Sequence, residues 1–183
     1  MDSREPRGFS RREFTRSLVG AAGLLLLSPR SLRAAPVRRE LSFVHLHTHE
    51  ELCLVYRDEA GYRRDALSRL DQLLRDFRTE QVHAIEPALF DLLHAVHSAT
   101  GSREPFHVIS GYRSPATNQQ LRAHSEGVAS GSLHLVGKAI DVRLPDVATA
   151  KLRDVGLSLA RGGVGYYAAS DFVHLDTGRV RRW

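Results

Sequence analysis

Ser132-Leu-His134-Leu-Val-Gly137-Lys-Ala-Ile-Asp141-Val142 and, far downstream, Phe172-Val-His174-Leu-Asp176-Thr-Gly178 are the stretches that decide the fold. Alternation along Ala139 to Leu144 sets Ile140, Val142 and Leu144 on one face of a strand and Asp141 and Arg143 on the other. In the second stretch Phe172, His174 and Asp176 share a face opposite Val173 and Leu175. If both strands lie in one sheet, Asp141 meets His174 across it, and His134 returns from the preceding loop. Gly137 lets that loop turn tightly. Two imidazoles and a carboxylate are one ligand set that holds zinc, and three protein ligands leave a fourth position for water, as in catalytic sites. The pattern points to a metal-dependent hydrolase. Its expected fold is α+β: a small antiparallel sheet carrying the metal on its open face, with helices packed on the other.

Working outward, Leu41 to Tyr56 reads as a β-hairpin broken near His49-Glu50, and Asp58 to Gly61 closes it with a turn. Leu67, Leu70, Leu73, Leu74 and Phe77 recur at helical spacing, which predicts a helix from about Arg64 to Phe77. Pro87 opens a second helix that ends near Gly101. Phe106 to Ser110 is a short strand running into Gly111-Tyr-Arg-Ser114. There Ser114 caps a short helix over about Ala116 to His124, with Pro115 at its first position. Ser125 to Ser132 is a loop, and Val147 to Ala160 a long helix broken by Gly162-Gly163. Val164 to Tyr167 and Phe172 to Asp176 form a closing hairpin.

The N-terminal segment is set apart from this domain. Ser10-Arg-Arg-Glu-Phe-Thr15 is a twin-arginine sequence, followed by the uncharged apolar run Leu18 to Leu27 and by Ala34-Ala35 before Pro36. That run is short for a bilayer span, and the order of charged, apolar and small residues is that of an export signal. Residues 1–35 are therefore expected to be a twin-arginine export signal that engages the twin-arginine translocase, with residues 36–183 as the working domain. Membrane contact is expected only through the signal, if it stays uncleaved. The segment holds seven arginines against three acids, which leaves 19 basic and 18 acidic residues in the rest of the chain. A near-neutral domain has no basic stripe for nucleic acid, whatever the whole-chain charge of +5 suggests. The lone Cys53 has no disulfide partner, and Leu52-Cys-Leu-Val-Tyr56 reads as a buried strand in which it packs.

The stretch from Ser132 to Asp141 matches the Ser-x-His-x-x-Gly-x-Ala-x-Asp signature of the zinc D-Ala-D-Ala peptidases, a group that includes lysostaphin-type enzymes and the hedgehog domain. More narrowly, the chain resembles the murein endopeptidase K-type family of exported peptidoglycan L,D-endopeptidases. Leu41-Ser-Phe, Leu46-His-Thr48, Ile109 to Ser114, Asn118, Ser132 to Asp141, Gly162 to Tyr167, Phe172 to Gly178 and Arg182-Trp183 carry the resemblance. It implies zinc ligands at His134, Asp141 and His174, a peptidoglycan (muropeptide) substrate, and a place in the periplasm or cell envelope. In the wider group a catalytic Glu stands three residues before the last His ligand, or a catalytic His two before it. Here those places hold Asp171 and Phe172. Asp171 and Asp176 are both candidate bases, with a slight preference for Asp171, which occupies the Glu position. Arg113 is expected near the metal, holding a substrate carboxylate or the developing oxyanion. The expected activity is hydrolysis of amide bonds in peptidoglycan cross-links or stems. The alternative is a catalytically silent zinc-containing module that binds cell wall or a partner. His45, His47 and His49 alternate and would share a strand face, but they lack a carboxylate to complete a second metal site.

Overall fold

The computed structural model describes residues 38–124 and 129–183. The expected export signal over residues 1–35 and the first half of the loop expected at Ser125 to Ser132 lie outside them. Among the described residues no helix is long and apolar enough to cross a membrane.

The architecture is α+β, but its sheet is neither small nor wholly antiparallel. Eight strands lie in the order β3-β2-β1-β4-β5-β7-β6-β8. They are β1 Arg39–His45, β2 Glu51–Asp58, β3 Gly61–Tyr62, β4 Phe106–Ser110, β5 Ala139–Arg143, β6 Gly163–Tyr167, β7 Phe172–Asp176 and β8 Arg181–Arg182. Two pairings are parallel, β1 with β4 and β6 with β8, and they join the N-terminal hairpin and the β8 segment to the strands that carry the site. Both pairings depend on contacts between distant segments, which local periodicity does not report.

Among the described residues four α-helices accompany the sheet: α1 Arg64–Leu73, α2 Pro87–Thr100, α3 Pro115–His124 and α4 Thr149–Leu159. Helix α1 contacts β2, α2 contacts β1 and α4, and α4 contacts β6 and β7. Alternation explains why the sheet offers them an apolar face: Val108, Ile140, Val142, Val173 and Leu175 are fully buried, in one core with Leu70, Leu89, Leu93 and Leu152. Each such side chain contributes roughly 1.5–3 kcal/mol when removed from water. Asp141 and His174, between these core residues in sequence, therefore emerge on the opposite face.

Helix α1 stops at Leu73 rather than running to Phe77, because the groups that follow serve another segment. Leu74 O accepts the amide of Tyr112, and Asp76 pairs with Gln81 and caps Ser114. Cys53 departs from expectation as well: in β2 the inward residues are Leu52, Leu54 and Tyr56, so Cys53 faces out and is exposed. The His45-His47-His49 alternation ends with the strand. His45 is buried as the last residue of β1, His47 is exposed on a turn and stacked 4.2 Å from Phe77, and His49 takes a positive φ of 60°.

Candidate metal centre

Asp141 on β5 and His174 on β7 are cross-strand partners, and His174 Nδ1 lies 2.8 Å from Asp141 Oδ1. His134 comes from a short 3-10 helix, Leu133–Val136, whose first turn is capped by Ser132 Oγ and whose end is turned by Gly137 at φ 65°. Gly137 has no room for a side chain, since a Cβ there would stand 2.3 Å from Ala84 O. The close approach brings His134 Nε2 to 3.2 Å from Asp141 Oδ1 and 3.1 Å from His174 Nδ1. Tetrahedral ligands at zinc's usual bond lengths stand about 3.3 Å apart, so the three atoms have the spacing of a ligand set. Among the described residues this is the one such His/Cys/Asp/Glu group, and all three members are buried.

The outer atoms of both imidazoles decide which way their lone pairs face. His134 Nδ1 sits 2.6 Å from Gly111 O, a pure acceptor, so it carries the proton and leaves Nε2 bare. His174 Nε2 sits 3.1 Å from Asp176 Oδ2, so its Nδ1 is bare. Two ring lone pairs and a carboxylate oxygen thus converge without a donor between them, an arrangement that is favourable only around positive charge. Burial works against protonating His174, yet the Asp141 and Asp176 carboxylates outweigh this and raise its pKa, so that with no cation present the Nδ1 position draws a proton instead. Burial alone would raise the Asp141 carboxyl as well, but the two imidazoles hold it well below the usual carboxylate range. The donor set fits a divalent cation such as zinc.

Gly111 owes its place to β4. A bulge between Val108 and Ser110 adds a residue opposite β5, so that Ser110 faces Asp141 and the strand delivers the loop Gly111 to Ser114 beside the ligands. Arg113 follows on that loop and its amide donates to His134 O. Its guanidinium is largely buried, with Nη2 3.5 Å from Asp141 Oδ2, Nη1 3.4 Å from Asn118 Oδ1 and Nε without a partner. Burial lowers the Arg113 pKa; Asp141 opposes this, and the charge of Arg78 adds to it. The group stays cationic, with donors to spare beside the ligand set.

A cleft of about 560 Å³ opens over these groups, walled by Arg113, Ser132, Tyr167, Phe172 and Trp183. Tyr167 and Phe172 stack at 4.5 Å, and the Trp183 ring lies 5.1 Å from that of His174.

The structure separates the two aspartates expected as bases. Asp176 is buried behind His174, where burial would raise its pKa but hydrogen bonds from His174, Arg181 and the Gly163 and Gly178 amides hold it below the carboxylate range. Asp171 is not brought to the ligand set. It is exposed in a left-handed turn at φ 51° before β7, where it accepts from Arg143 Nη1 at 3.3 Å and from Thr149 Oγ1. It lines a separate surface hollow with His107 and Arg143. The short Asp171 side chain, carried on this turn, is engaged by Arg143 and Thr149. Sequence reasoning missed Arg181 in this region; the glycine run at 162–165 was the signal that something large packs against β6.

The family model described as peptidoglycan L,D-endopeptidase MepK matches residues 33–183. The chain is 42% identical over 150 residues to the peptidoglycan L,D-endopeptidase MepK of Escherichia coli K12, covering 82% of each chain. It is also 42% identical over 171 residues to the probable peptidoglycan L,D-endopeptidase MepK of Haemophilus influenzae, covering 91% of this chain and 92% of that protein.

Proposed function

The chain belongs to the peptidoglycan L,D-endopeptidase MepK family, and on that premise we propose that it is a zinc-dependent endopeptidase hydrolysing amide bonds in peptidoglycan peptide stems or cross-links. The observation that carries the metal is the convergence of His134 Nε2, His174 Nδ1 and Asp141 Oδ1, all acceptors, at the floor of an open cleft. Zinc held there supplies Lewis-acid chemistry, polarising an amide carbonyl and acidifying a water. Arg113 offers its unused N–H groups to a substrate carboxylate or to the oxygen on which charge develops. Tyr167, Phe172 and Trp183 flank the peptide. Asp176 orients His174, and all its close partners are donors, so as it stands it takes no proton from water. Asp171 would have to leave Arg143 and Thr149 to act as base.

Stripping the protein with a chelator should abolish cleavage of purified cross-linked muropeptides, and zinc should restore it. Activity indifferent to chelation would defeat the proposal. The pairing of Asp171 with Arg143 and Thr149 in a separate hollow favours one second reading, a zinc-containing module that binds cell wall without cutting it. Muropeptide binding with no new fragment masses would select that reading. The reading includes a twin-arginine export signal over residues 1–35 and the peptidase domain over residues 36–183, supported by Arg11-Arg12 ahead of the apolar run Leu18 to Leu27, and with it an activity in the periplasm or cell envelope. Arg11→Lys with Arg12→Lys should strand the precursor in the cytoplasm, whereas undiminished export would point to another route.

A further inference from the structure

We infer that Arg181, on β8, is a positioning residue of the metal centre: acting through Asp176, it holds His174 in the orientation and tautomer that leave Nδ1 free for a cation. This rests on the metal-centre reading above and adds to it a residue from the edge strand of the sheet. Asp176 is fully buried and accepts on both oxygens. Oδ2 takes His174 Nε2 at 3.1 Å and Arg181 Nη2 at 2.7 Å. Oδ1 takes Arg181 Nη1 at 3.0 Å and the amides of Gly163 at 3.0 Å and Gly178 at 2.8 Å. A guanidinium with one nitrogen on each carboxylate oxygen fixes the carboxylate plane, which a single donor does not. The imidazole that donates to that carboxylate is fixed in turn, because a carboxylate facing Nε2 requires the proton there.

The chain makes room for this arrangement at the expense of ordinary side chains. A Cβ on Gly163 would stand 2.4 Å from both Arg181 Nη1 and Asp176 Oδ2, and one on Gly165 would stand 2.6 Å from the Trp183 ring. The glycine run that reads in sequence as a helix breaker is therefore also the cradle of the Arg181–Asp176 fork. On the outer side Arg181 Cζ lies 4.7 Å from the Trp183 ring centroid, and Trp183 Nε1 donates to Tyr167 Oη at 2.9 Å. His174 is thus held at its edge by the Asp176–Arg181 pair and beside its ring by an indole that Arg181 itself covers. The parallel pairing of β8 with β6 is what delivers Arg181 to this place.

The test is equilibrium zinc binding to the metal-free full chain, by competition with a chromophoric chelator, alongside thermal unfolding of the same metal-free samples. A wild-type protein that binds no zinc would overturn the metal-centre reading itself, and the role of Arg181 with it. Given wild-type binding, Arg181→Met should weaken zinc affinity about 10- to 100-fold, the range for loss of an outer partner of a metal ligand. Arg181→Lys, which keeps the charge but not the fork, should fall between the two. Arg181→Met should add little in an Asp176→Asn background, because one acts through the other. Wild-type affinity in Arg181→Met, or losses that simply add in the double variant, would overturn the role. If Arg181→Met does not fold, Arg181→Lys decides: weakened zinc binding supports the fork, and unchanged binding removes it.

Discussion

Asp76 and Ser114 are joined by a buried hydrogen bond in which the Ser114 amide donates to Asp76 Oδ2 over 2.9 Å. The same carboxylate accepts the Arg78 amide at 3.1 Å, and burial, which would raise its pKa, is outweighed by the hydrogen bonds from Ser114, Thr117 and Arg78. Asp76 therefore anchors the loop that carries both Gly111 O, the partner of His134, and Arg113. Asp76→Ala would leave the buried Ser114 amide unsatisfied and should cost about 1–3 kcal/mol in urea unfolding. Turnover should fall further than the lost folded fraction explains, since Arg113 is released with the loop.

His134→Ala, Asp141→Ala and His174→Ala should each empty the site of zinc and abolish cleavage while leaving a folded domain. The strands under these residues keep their own packing through Ile140, Val142, Val173 and Leu175, all fully buried. Zinc content by elemental analysis, with circular dichroism as the control for folding, checks this. Full zinc occupancy in any one variant would remove that residue from the ligand set.

Asp171→Asn should change turnover by no more than a few-fold and leave zinc content unaltered, because its carboxylate serves Arg143 and Thr149 rather than the cleft. Loss of a general base costs on the order of a hundredfold or more, so the two outcomes are well separated. A hundredfold loss with zinc retained would mean that Asp171 swings to the metal when substrate binds.

His45 predicts an acid limb of stability independent of the metal. It is fully buried, its Nδ1 accepts the amides of His47 and Thr48 at 3.3 Å, and burial lowers its pKa to about 4, with His47 and Arg75 adding to the effect and Glu50 opposing it. Between that value and the unfolded value near 6.5 the unfolded chain takes up a proton that the folded chain refuses. The stability is complete above about pH 6.5 and is lost as pH falls towards 4, by up to about 3 kcal/mol. His45→Asn, whose oxygen can accept from the same amides, should flatten the unfolding midpoint across that window relative to wild type. An unchanged slope would show that other groups govern it.

Much of the working architecture was legible because it is local. Phe106–Ser110 and Phe172–Asp176 match their expected strands, α2 begins at Pro87 and ends before Gly101, and the alternation on β5 and β7 put Asp141 and His174 on one face. What escaped was set by distant partners. The end of α1 depends on Tyr112 and Ser114, far along the chain. Strand β8 has two residues and exists only against Gly163 and Val164. The resemblance leaves both Asp171 and Asp176 as candidate bases, and the left-handed turn that sets the Asp171 carboxylate on Arg143 and Thr149 is not visible to local pattern.

Trp183, packed beside His174, is the single tryptophan of the chain. Its indole emission comes from one place only, within contact range of a ligand imidazole and of the guanidinium that covers it. Excitation at the long-wavelength edge of protein absorbance therefore reads the occupancy of this one centre in the unlabelled protein. A titration followed by fluorescence should therefore report a cation that binds between His134, Asp141 and His174, through the indole packed beside His174.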